Sequence, residues 1–390
     1  MNDVSVPPDR GLIPWGAVAA LGLVLAAESW VSSHHLDFTS LGMASHRYAG
    51  EAVARAVDTD VLALGDSQVK FGVVPLAVER RAGRRAYNLG AAGGTAPFTY
   101  YLLRRALDRG ARPGAIIVDF KPTQLQVDPR ALVEPWAAVL SAREALDMAW
   151  TARDGLFFAK LLVAWTLPSL RARAEIRSSV LSNLQGSTPY RAAANLASFR
   201  EWDANRGAGL LPRNPAIGGE AIPWDAVMYD RMGDWWMHPL NGVYVRRVLD
   251  LAAARGVPVY WVVAPINPRV QVRRDGLGRD RNYTRMLHRA VDRYPNLVVI
   301  EGRRSGYPTR VFTDGAHMDL DGAYAFSDAL ALVLKTDPGA FASRWVELPP
   351  YRAAPYPTGL EDVAGSRPVR SGVAGSPEPR TATLPGPTRR

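Results

Sequence analysis

The stretch VLALGDSQVK, residues 61 to 70, runs four apolar residues straight into Gly65-Asp66-Ser67. Val61 to Leu64 read as a strand buried on both faces, and the chain leaves no room for a loop before the serine. In sheets covered by helices on both sides, ligands bind beyond the carboxyl ends of the strands. Ser67, two residues past such an end, therefore sits where chemistry is normally done. A serine is also a good helix cap, and position alone does not separate the two readings.

Working outward, strand and helix patterns alternate. PLAVERRAG (75–83) reads as a short helix, AYNLG (86–90) as a second strand, and APFTYYLLRRALDRG (96–110) as a helix closed by Gly110. GAIIVDF (114–120) reads as a third strand. The alternation then breaks for over a hundred residues. It resumes with a helix around 241–256, strand VPVYWVV (257–263), a helix at 279–293, strand LVVI (297–300) and a last helix at 321–334. Five strands alternating with helices predict an α/β fold, a parallel sheet between two helical layers. The expected organisation is an α/β domain over 34–124 and 239–340, interrupted by a helical insertion at 125–238.

A serine hydroxyl becomes a nucleophile only when a base takes its proton and a third group orients that base. FTDGAHM (312–318), between the last strand and the last helix, offers Asp314 and His317 on the same edge of the sheet as Ser67. An Asp three residues before a His is a weak pattern alone and a stronger one opposite a strand-Gly-Asp-Ser. A tetrahedral oxyanion also needs donors. NLGAAGGT (88–95) offers the Gly90 and Gly93 amides and the Asn88 side chain, beside the Ser67 amide. The rival reading of this loop, a phosphate cradle, lacks the Gly-Lys-Ser/Thr ending, and a tight turn accounts for part of the glycine content. Lys121 and Gln124 are further candidates. His238, in DWWMHPLNG (234–242), competes for the base role or contacts substrate, with Asp234 four residues away; His288, in mid-helix, reads as packed or solvated.

With these residues in view the chain resembles the SGNH or GDSL hydrolases. The resemblance rests on Gly65-Asp66-Ser67, on Gly90 or Gly93-Gly94, and on Asp314-Gly315-Ala316-His317, and it covers about 60–125 and 240–337. It implies a serine ester hydrolase or acyltransferase on a flavodoxin-like five-stranded parallel sheet, working without metal or organic cofactor. The family's Gly-x-Asn-Asp block is missing, because the third strand runs into VDFKPTQLQ (118–126). Such departures look like those of the membrane-anchored extracytoplasmic branch, which includes alginate O-acetyltransferases and the teichoic-acid D-alanylation protein. The implied substrates are acyl, chiefly acetyl, esters of cell-envelope or exopolysaccharide glycans, with a multi-span membrane acyl exporter as a candidate partner. A catalytically silent glycan-binding or scaffold protein on the same fold is the alternative.

The rest of the chain bears on setting. Residues 11–27 carry no charge, with Trp15 and Trp30 near the two ends, where indoles favour the membrane interface. This predicts a single-pass anchor over 1–33 with the remainder extracytoplasmic; a signal peptide cleaved after Val24-Leu25-Ala26 is the competing reading. The insertion holds Trp136, Trp150, Trp165, Trp202, Trp224, Trp235 and Trp236. They form either a subdomain core or a glycan cap in which Trp235, Trp236 and His238 contact sugar. Residues 156–167 are apolar enough for a second membrane contact, although Lys160 and the short length argue against a span. Residues 341–390 are expected to be a disordered tail, since from 348 on they are rich in Pro, Arg, Gly, Ser and Thr with no apolar periodicity. The absence of cysteine excludes disulfides and thiolate chemistry. A net charge of +10, almost wholly from arginine, suits anionic membranes or acidic glycans; no motif or basic helix points to nucleic acid.

Overall fold

The computed structural model describes residues 15–131, 133–184, 191–214 and 234–354. The expected features at 1–14, Trp224 in 215–233, and 355–390 lie outside the described residues.

Strands β1 (Val61–Gly65), β2 (Ala86–Asn88), β3 (Ala115–Asp119), β4 (Val259–Val263), β5 (Leu297–Glu301) and β6 (Trp345–Glu347) form one parallel sheet in the order β2-β1-β3-β4-β5-β6. The order reverses at β1, so the crevice between β1 and β3 opens where such sheets place their ligands. The helices are α1 (Trp15–Ser33), α2 (Leu41–Ala52), α3 (Ser67–Gly72), α4 (Pro75–Ala82), α5 (Ala96–Asp108), α6 (Pro122–Gln126), α7 (Glu134–Val139), α8 (Ala142–Ala152), α9 (Gly155–Thr166), α10 (Pro168–Arg171), α11 (Arg173–Leu184), α12 (Arg191–Ala204), α13 (Pro239–Ala254), α14 (Pro268–Gly276), α15 (Arg281–Arg293) and α16 (Leu320–Lys335).

Strand alternation splits the core in two. Leu62, Leu64, Ile116, Val118, Val259, Trp261 and Val299 point into one cluster with α2, α5, α13 and α15, continued by the helices of the insertion. Val61, Ala63, Ile117, Tyr260, Val262 and Ile300 point into the other, against α4 and α16. Successive side chains of a strand face opposite ways, so both sheet faces are buried and the strands read as unbroken apolar runs.

Two expectations need correction. The sheet has six strands, not five, and the sixth lies in the segment expected to be a disordered tail. Val299, Ile300 and Glu301 pair with Trp345, Val346 and Glu347, Leu348 is buried, and the Tyr351 N–H donates to the Ser305 carbonyl. An edge strand of three residues is too short to show a period and needs only one neighbour. The polar helix α14, between β4 and α15, was also not expected.

α1 is long and apolar enough to cross a membrane and is almost wholly unburied. At its far end Glu28 accepts hydrogen bonds from the Ser169 N–H (2.7 Å) and hydroxyl.

Candidate active site

β1 ends at Gly65, whose φ is +150° and whose missing Cβ would fall 2.0 Å from the Asp119 carbonyl oxygen. Only glycine lets β1 and β3 close there. Asp66, fully buried, caps α3 through the Gln68 N–H (2.8 Å) and accepts from the Lys121 N–H (2.8 Å) after β3. Its carboxylate thus holds the two strand ends together. Burial raises its pKa, against the Lys121 charge and those two amide bonds. Asp119, also buried, is raised further, by burial first and then by the Asp66 charge. Ser67 opens α3 beside this clamp.

The other half of the site is a pinned hairpin. Phe312 bridges Met318, the Thr313 N–H donates to the His317 carbonyl (2.9 Å), and the Asp319 N–H donates to the Val311 carbonyl (3.0 Å). Asp319 then caps α16 through the Gly322 N–H at 2.9 Å. Within the hairpin, Asp314 Oδ1 accepts from the amides of Ala316 and His317, both at 2.7 Å, and Asp314 Oδ2 lies 2.6 Å from His317 Nδ1. His317 Nε2 lies 2.8 Å from Ser67 Oγ. Burial pushes the Asp314 carboxyl up, but the hydrogen bonds and charge of His317 and the two amides outweigh it, leaving the pKa below the usual value. An ionised Asp314 on Nδ1–H leaves Nε2 free to accept the serine proton. Ser67, His317 and Asp314, drawn from opposite ends of the domain, are therefore one hydrogen-bonded chain.

The expected oxyanion donors divide. Asn88 Nδ2 donates to the carbonyls of Val69 and Val73, both at 2.7 Å, and Asn88 Oδ1 accepts from the Gly90 N–H at 2.8 Å. The Asn88 amide and the Gly90 N–H are thereby used inside the protein, which corrects the expectation that they face a bound acyl group. The Ser67 and Gly93 N–H groups have no protein acceptor among the described residues. Gly93 sits on an exposed crest with φ +79°, and its carbonyl takes the Gln124 side chain at 3.0 Å.

The expected substrate contacts divide as well. Trp235 is a core residue, not a sugar platform: it is 8% exposed, donates from Nε1 to the Pro122 carbonyl (2.7 Å), and meets Tyr283 edge-on. Trp236 is 51% exposed. His238 caps α13, accepting the Leu240 N–H at Nδ1 (3.3 Å), and Nε2 lies 3.8 Å from Asp128, while Asp234 pairs with Arg279 instead. No hydrogen bond or ring contact among the described residues joins Trp235, Trp236 or His238 to the Ser67 chain. His288 stacks on Trp345 at 4.2 Å.

Sequence reasoning missed Lys70, three residues after Ser67. Its Nζ is wholly buried, donates to the Gly207 carbonyl (2.7 Å) and lies over the Trp202 ring at 3.8 Å. Burial drives its pKa well below the usual lysine value, against the nearby charges of Glu201 and Asp203. Phe71 was also missed; its ring meets the His317 imidazole edge-on at 5.9 Å. A lysine in an apolar helix turn gives no local sign of a carbonyl 137 residues away.

Compared with known proteins, the chain matches no family model and no curated sequence.

Proposed function

We propose that the chain is an SGNH-type serine esterase or O-acyltransferase, anchored by α1 with its sheet domain outside the cytoplasm. Its substrates are acyl, chiefly acetyl, esters of cell-envelope or exopolysaccharide glycans. The observation that carries this reading is the chain Ser67 Oγ, His317 Nε2, His317 Nδ1, Asp314 Oδ2, with contacts of 2.8 and 2.6 Å.

In this reading Ser67 Oγ attacks the acyl carbonyl carbon while its proton passes to His317 Nε2, and Asp314 stabilises the imidazolium. The carbonyl oxygen, now an oxyanion, takes the Ser67 and Gly93 N–H groups. Collapse breaks the ester C–O bond, and the alkoxide leaves with the proton from Nε2. The acyl-serine is resolved by a second hydroxyl, from sugar or water, which His317 deprotonates in turn. Transfer and hydrolysis share this intermediate, so the acceptor that reaches it first decides the product. A bound, oriented hydroxyl has an effective molarity of about 10⁵ M or more and outcompetes water where the site positions it.

The alternative, a silent glycan-binding protein on the same fold, is favoured by the 4% exposure of Ser67, which restricts access to the hydroxyl. A fluorophosphonate probe on the full chain decides between them. The expected result is covalent modification at Ser67, lost in Ser67→Ala and strongly reduced in His317→Ala. A folded chain left unlabelled assigns it to binding. Incubation with acyl donor and envelope oligosaccharide, read by mass spectrometry, then separates acylated sugar from free acid.

A further inference from the structure

Among the described residues, most of the large apolar side chains left in solvent lie in α1 or between Leu146 and Leu184. The second group lies on α8 to α11. Leu156, Val163 and Leu170 line a groove of ≈ 670 Å³ along α9 and α10, together with Lys160, Arg171, Arg173 and the carboxylate of Glu134. Leu162, next to Val163, is also exposed. The Glu28–Ser169 hydrogen bonds fix the α9–α10 corner against the far end of α1. A helix of 12 residues spans about 18 Å, too short for a bilayer core of about 30 Å, and Lys160 stands in mid-helix. Between 156 and 184 the charged residues are Lys160, Arg171, Arg173, Arg177 and Glu175, a cationic excess set among leucines and valines. Exposed apolar side chains set among a net cationic charge, packed beside a helix of spanning length, suit contact with the headgroups of anionic lipid.

We propose that the α9–α11 face of the insertion rests in the headgroup layer of an anionic bilayer beside α1, as a second, monotopic membrane contact. The inference depends on α1 entering the bilayer, and the test reads the two separately.

The chain has no cysteine, so single-cysteine variants of the full protein take a nitroxide label without background. Labels go at Leu23→Cys in α1, at Leu162→Cys and Leu170→Cys on the face, and at Val272→Cys, an exposed apolar position on α14. The protein is placed in nanodiscs of phosphatidylcholine with and without phosphatidylglycerol. Collision with dissolved oxygen and with a water-soluble nickel chelate then reports depth. In anionic discs the labels at 162 and 170 are expected to show several-fold less nickel collision than the label at 272. Removing phosphatidylglycerol, or adding Arg173→Glu with Arg177→Glu, restores it. If the labels at 162 and 170 match 272 while 23 lies in lipid, the proposal is wrong and the anchor stands. An aqueous label at 23 overturns both. Shielding at 162 that ignores lipid charge and comes with label–label coupling makes the face a contact between two copies, which also overturns it. All four positions are exposed, so the variants are expected to fold; a fifth label at Leu156→Cys repeats the reading should one of the face variants not.

Discussion

Replacing Asn88 by alanine separates two uses of one side chain. If Asn88 holds the loop, the change removes a bracket from the interior; if it faces the oxyanion, it removes a donor from the reaction. The hydrogen bonds set the magnitude. The Val69 carbonyl keeps the Val73 N–H (3.0 Å), so the truncation orphans two buried groups, the Val73 carbonyl and the Gly90 N–H, neither with another protein partner among the described residues. A buried polar group left unpaired costs roughly 1–3 kcal/mol, giving a loss of about 2–6 kcal/mol. Against a total stability of about 5–15 kcal/mol, that is a large shift in the denaturation midpoint. The assay is chemical denaturation of the full chain in detergent, alongside turnover of an activated acetate ester corrected for folded fraction. Expected is a much lower midpoint with turnover per folded molecule nearly unchanged. An unchanged midpoint with kcat down by about 10²–10³-fold, the usual cost of a lost oxyanion donor, would refute the structural role.

Three further outcomes follow from the same geometry. Ser67→Ala and His317→Ala should each lower ester turnover by several orders of magnitude with the fold intact, Asp314→Asn by less; near-normal turnover in His317→Ala together with loss in His238→Ala would move the base. Burial holds the Lys70 pKa well below its ordinary 10.5, so the unfolded chain binds a proton that the folded chain sheds. Stability therefore rises with pH between the depressed value and 10.5, and Lys70→Met should flatten that rise in denaturation midpoints taken from neutral to alkaline pH; a rise of full size in the variant would count against it. Trp235→Ala should cost about 3–5 kcal/mol as a core truncation, and Trp236→Ala about 0.5 kcal/mol or less, both read by denaturation; equal stability with loss of sugar binding in Trp235→Ala would restore the platform reading.

What could be read from the sequence was whatever repeats or lies close along the chain. Unbroken apolar runs at 61–64, 115–118 and 259–263 mark strands buried on both faces, and both faces are indeed filled. The placement of Ser67 beyond β1 and of Asp314 and His317 before α16 follows from strand ends alone, because parallel strands deliver all such loops to one edge. What could not be read depends on partners far apart. Asn88 looks like a donor on a glycine-rich loop until its amide is seen on carbonyls 19 and 15 residues back. Trp235 and Trp236 are indistinguishable as a pair of letters; one finds the Pro122 carbonyl and the Tyr283 ring while the other stays in solvent. β6 escaped because three residues carry no period.

The insertion has a role near the site that composition did not suggest. Its tryptophans read as either a subdomain core or a glycan cap, and its return segment at 205–214 braces both halves of the site. The Gly207 carbonyl accepts from Lys70 Nζ and the Gly209 N–H donates to the Lys70 carbonyl (2.9 Å), gripping the helix that begins at Ser67. A few residues on, Leu211 accepts the Leu320 N–H (3.0 Å), Arg213 pairs with Asp321, and Asn214 donates to the Thr313 carbonyl (2.9 Å), gripping the hairpin that carries Asp314 and His317. Ser67 and His317 stand 250 positions apart, and a displacement of about 1 Å between such partners is enough to cost catalysis about 10²-fold. One segment fastened to both loops removes their independent motion. The buried lysine, whose desolvation works against stability, is the link by which 205–214 holds α3, and its cost is offset by the carbonyl and the rings it meets. Substitutions in 205–214 are therefore expected to act through the Ser67–His317 distance.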